Sequence, residues 1–86
     1  MKFQGAKIKE QGVTFAIVVV QMYVIQNQSE SRQTIVSFKR VFGNIPIVLM
    51  AQDSLGRATY FGRDDIVKFL ADLTLSAIPW QEYTLN

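Results

Sequence analysis

Apolar positions along the chain fall into two strand-like blocks, each followed by a helical stripe. Residues 13–20, V-T-F-A-I-V-V-V, are apolar at both parities after Thr14 and dense in β-branched side chains. That is the pattern of a strand covered on both faces. Residues 27–42 switch to helical spacing, with Ile35, Phe38, Val41 and Phe42 on one stripe and Arg32, Gln33, Lys39 and Arg40 mostly off it. Asn27 is placed to cap this helix and Glu30, three residues on, completes a capping-box spacing. Lys39 and Arg40 suit its carboxyl end, and Gly43 can terminate it.

The second block begins at Pro46. Ile47, Leu49 and Ala51 point one way and Val48 and Met50 the other, so this strand too is apolar on both faces. Asp53-Ser54-Leu55-Gly56 predicts a type I turn closed by a glycine, after which residues 57–61 return antiparallel with Tyr60 and Phe61 on opposite faces. Gly62-Arg63-Asp64 breaks the strand, Asp64 is expected at the N-cap, and Ile66, Phe69, Leu70 and Leu73 follow at helical spacing.

The remaining stretches are less patterned. Residues 1–12 read either as an additional edge strand turning at Gln11-Gly12, a poorer hairpin turn than Asn-Gly, or as a flexible basic arm. Residues 21–26 either extend the first strand or form a loop. Residues 74–86 read as an extended tail laid over the body and pinned by Trp80, because Pro79 opposes a regular helix. The order β-α-β-β-α gives an α+β or small α/β domain with a mixed sheet, its helix-linked strands parallel. At 86 residues there is room for one domain.

The helix ending before Ile45-Pro46, the strand at residues 47–50, the turn at Gly56, the strand ending at Gly62 and the helix bearing Phe69-Leu70 and Leu73 have a counterpart. Residues 38–73 resemble the carboxyl-terminal half of thioredoxin-like proteins. The resemblance implies that Pro46 takes the place of the proline before the family's third core strand, often preceded by a cis peptide bond. It does not carry over the family's chemistry, because the Cys-X-X-Cys motif is missing.

Composition narrows the chemistry further. There is no cysteine and no histidine, which removes thiolate and imidazole catalysis and transition-metal sites built on nitrogen or sulfur. No cofactor is expected, and no catalytic residue or metal ligand is assigned. Nine Lys and Arg against seven Asp and Glu leave a net charge of +2, too little to imply nucleic acid by itself. Residues 13–25 are too short to span a bilayer, and Lys2, Lys7, Lys9 and Glu10 are unlike a signal peptide. A cytoplasmic protein without membrane attachment is the expectation.

Three candidate sites follow. Arg57, Tyr60, Arg63 and Asp64 gather near the start of the last helix, where a phosphate or carboxylate could bind, set against capping by Asp64 and pairing of the arginines with Asp53 and Asp65. Gly56 and Gly62 do not have phosphate-loop spacing, and Asp64-Asp65 suits a helix start better than a Mg²⁺ site. Val13, Phe15, Ile17 and Val19, on a central-type strand with few strands to flank it, mark a sheet edge for self-association, with Trp80 and Tyr83 of the tail as further interface residues. Lys2, Lys7 and Lys9 could track a nucleic-acid backbone with Phe3 or Tyr23 stacking on bases. The favoured expectation is a non-catalytic binding or protein-interaction domain that forms a homo-oligomer; nucleic-acid binding and an anion or enzyme site are the alternatives.

Overall fold

A computed structural model describes residues 1–85. They form a mixed sheet built around β2 (Val13–Val19), which has a neighbour on each side. β1 (Lys2–Glu10) pairs with it antiparallel and β3 (Ile47–Gln52) parallel, Ala16 opposite Ile47 and Val19 opposite Met50. β4 (Ala58–Phe61) lies beyond β3 and β5 (Gln81–Thr84) beyond β1, giving the order β4-β3-β2-β1-β5. α1 (Met22–Gln26) and α2 (Gln28–Phe42) connect β2 to β3. α3 (Asp64–Ala71) and a 3-10 turn (Leu75–Ala77) connect β4 to β5. The class is α+β, as the patterning predicts.

Two apolar layers follow from strand alternation. Ala16, Val18, Ile47 and Leu49 face α1 and α2, where Phe3, Val24 and Phe38 complete one core. Phe15, Ile17, Val48 and Met50 face the other way and pack with Ile66, Leu70 and Ile78. Central strands apolar at both parities are what a sheet covered on both sides requires.

The expected helix ends at residues 27 and 43 hold. The Asn27 side chain accepts from the Glu30 N–H at 3.1 Å, and the Gly43 N–H donates to Lys39 O at 2.8 Å. The hairpin at residues 53–57 is also as read: Asp53 O accepts from the Gly56 N–H, and Asp53 Oδ1 accepts from the N–H groups of Leu55 and Arg57. The peptide bond before Pro46 is trans.

Of the two readings of residues 1–12 the strand turning at Gln11-Gly12 holds, and three other expectations are corrected. Residues 1–12 are no arm: β1 is nine residues long and joins β2 through Gln11 (φ 50°) and Gly12 (φ 80°), a two-residue turn with both central residues at positive φ. Residues 22–26 are a helical turn, which buries Val24 where an extended segment would leave the sheet. The tail is not merely laid over the body: it opens with the 3-10 turn, and its Gln81–Thr84 joins the sheet with an antiparallel partner in the first half of β1. Asp64 is the first residue of α3 and Arg63 its N-cap, with no side-chain capping bond. Gly5 lets β1 fit between its neighbours: a Cβ there would sit 2.7 Å from Ile17 O.

Candidate functional site

The interface expected along β2 is not an edge. Phe15 is 2% exposed and Ile17 fully buried, while Val13 and Val19 are half-buried, all within the middle strand. Trp80 and Tyr83 likewise serve the chain's own core. The Trp80 Nε1–H donates to Leu75 O at 3.0 Å. Tyr83 stacks on Phe3 and meets Phe42 edge-on, so Phe3 is a core ring rather than a base-stacking one.

The open edges lie elsewhere, and backbone alternation shows which groups they expose. In an antiparallel pair, every second residue exchanges hydrogen bonds with the neighbour and the others face away. The Asp53 N–H donates to Arg57 O, so the same register makes Ala51–Thr59 and Leu49–Phe61 the bonded pairs. Ala58 and Tyr60 therefore turn their N–H and C=O groups outward, where no described residue meets them. Their side chains point to the α3 face.

On that face, β4 and α3 border a groove of about 340 Å³ lined by Gly56, Arg57, Ala58, Tyr60, Leu70 and Leu73 among others. The Tyr60 hydroxyl is buried beside it and has no hydrogen-bond partner among the described residues. Burial pushes its pKa above the ordinary phenol value.

The same reasoning applies to β1. Met1 and Leu85 exchange hydrogen bonds in both directions, so Phe3 and Gly5 bond to β5 and the next outward residues are Lys7 and Lys9. Among the described residues that half of β1 has no outer strand, but two lysines guard it, a common protection of an edge. Ala58–Phe61 carries no charge at all.

No family model, curated protein or solved structure matches this chain.

The four candidate anion-site residues divide into two places. Arg57 and Tyr60 line the groove, whereas Arg63 and Asp64 sit at the start of α3 and do not. Each arginine already has a carboxylate. Arg57 Nε donates to Asp53 Oδ2 at 2.8 Å, and Arg63 grips Asp65 with two bonds of 2.7 and 2.8 Å. The Arg63 bonds hold the Asp65 carboxyl at a pKa of about 2, and backbone N–H bonding, led by Arg57, lowers that of Asp53. Carboxylates so held are poor proton acceptors near neutral pH. Among the described residues, no three Asp or Glu side chains are grouped to hold a metal ion. Among the described residues, no helix is long and apolar enough to cross a membrane.

Sequence reading missed one buried polar residue, Ser31. Its hydroxyl lies 2.6 Å from Val24 O and 3.0 Å from Asn27 O and ties α1 to α2. The signal available was its position four residues before Ile35, on the buried stripe.

Proposed function

We propose that this chain is a non-catalytic interaction domain that self-associates by pairing β4 with β4 of a second copy. The observation that carries the reading is the uncharged β4 edge with outward N–H and C=O groups at Ala58 and Tyr60. An antiparallel pair centred on Thr59 sets Ala58 of one copy opposite Tyr60 of the other, twice, and satisfies all four groups. The two sheets become one continuous sheet, and each Tyr60 side chain comes alongside the other copy's groove.

Sedimentation velocity over a concentration series tests this, with two variants. Ala58→Pro removes an outward N–H that no intrachain bond uses, a substitution tolerated at an edge. Thr59→Lys places like charges directly opposite each other at the centre of the pair. The wild type is expected to dimerise and both variants to stay monomeric with unchanged circular dichroism. A wild type that remains monomeric up to roughly millimolar protein, an association worth less than about 4 kcal/mol, overturns the proposal.

A further inference from the structure

We infer that the α1–α2 face of this chain is a binding surface for single-stranded nucleic acid, held through its phosphate backbone. Charge is unevenly divided between the two faces of the sheet. Lys7 and Lys9 share the parity of Phe3 and Gly5 and so lie on the α2 side, with Arg32, Lys39 and Arg40 on α2 itself. Against the one acid of this layer, Glu30, these leave a net charge of +4. On the opposite side, Glu10, Asp64, Asp65 and Asp72 against Arg63 and Lys68 leave −2. Lys2 pairs with Glu82 and Arg57 with Asp53, so the whole-chain charge of +2 resides in this separation.

The cations of the α2 layer are available. No described carboxylate pairs with any of the five, whereas Lys2, Arg57 and Arg63 are all engaged. At 100° per residue, Arg32, Val36, Lys39 and Arg40 occupy an arc of about 100° on α2. It is separate from the buried stripe of Ser31, Ile35, Phe38 and Phe42, and all four of its residues are exposed. Glu30 lies outside the arc. The same helical layer exposes Tyr23, at 60% the most accessible aromatic ring, and Val36, at 65%. Unpaired cations and an open aromatic ring on one layer fit a single strand, whose phosphates meet the charges and whose bases can stack. An acidic polypeptide would use the charges and leave Tyr23 unexplained. This surface is independent of β4, although pairing through β4 would place two such faces on the same side of one sheet.

The test is fluorescence anisotropy with a labelled single-stranded DNA oligonucleotide across a salt series. If each of the five cations meets a phosphate, log K falls against log salt with a slope of about −3.5 per copy. Replacing Arg32, Lys39 and Arg40 together by Gln is expected to reduce that slope to about −1.4. Tyr23→Ala should weaken binding about fivefold or more. Asp64→Asn with Asp72→Asn raises the net charge without touching the α2 layer and should leave the slope as it was. Absence of binding at low ionic strength, a slope unchanged in the triple variant, or equal affinity for polyglutamate each overturns the inference. So does a gain from the Asp variants as large as the loss from the Gln variants, since net charge rather than this face would then decide.

Discussion

Phe3 and Tyr83 stack with ring centroids 5.5 Å apart and planes 18° from parallel, joining the first strand to the last. Phe38 lies 4.6 Å from Phe3, and Phe42 4.9 Å from Tyr83, so these rings bind β5, β1 and α2 into one cluster. Phe3→Ala is expected to cost about 3–5 kcal/mol, a large share of a small domain's stability. Tyr83→Ala should cost less, because Tyr83 is only half-buried, and should free β5 first. Urea denaturation gives the first number. Hydrogen exchange at residues 81–84, compared with β2, reports the second.

That cluster marks where the sequence was legible and where it was not. The two strands apolar at both parities, the stripe on α2 and the turn at Asp53 each carry a local pattern, and all four are where the spacing puts them. β5 carries none: Q-E-Y-T is polar, and its strand conformation comes from pairing with β1 and from Tyr83 reaching Phe3. Val13–Val19 looked short of neighbours because both extra strands come from the least patterned ends of the chain. The candidate site suffered in the same way. A tyrosine hydroxyl without a partner among the described residues and a strand with outward amides are products of the final packing, and neither residue type announces them.

Gln11 holds φ 50° in the β1–β2 turn, a region that non-glycine residues other than Asn and Asp seldom occupy. Gln11→Asn is therefore expected to raise stability by roughly 0.5 kcal/mol, within the range of such backbone effects. The exposed side chain makes no hydrogen bond among the described residues that the change would remove. A thermal melt that moves down instead would show that Gln11 does something besides turn the chain.

The Arg63–Asp65 pair sets a pH window. Asp65 has its folded pKa lowered from 3.8 to about 2, so whatever the pair adds to stability is present above about 4 and lost as pH falls through about 2. Both side chains are mostly exposed, which keeps that contribution small and sensitive to salt. The direct check is the carboxyl titration of Asp65 by NMR, with a midpoint near 2 in the wild type. In Arg63→Gln the midpoint should return toward 3.8. An unchanged midpoint would show that the backbone N–H groups, rather than the guanidinium, hold the charge.

Ser31 offers the sharpest test of how the α1–α2 layer is assembled. It is fully buried, and its hydroxyl is shared between Val24 O and Asn27 O across the break between the two helices. Ser31→Ala removes the donor, and the net loss expected is about 0.5–1.5 kcal/mol. Ser31→Val removes the donor as well and adds bulk to a position with no exposed surface, and should cost about 1–3 kcal/mol. If the hydroxyl is the tie between the helices, Ser31→Ala will also raise hydrogen exchange in α1 more than in α2, because α1 is five residues long and has no side-chain cap of its own. Equal protection losses in both helices would instead assign Ser31 a space-filling role only.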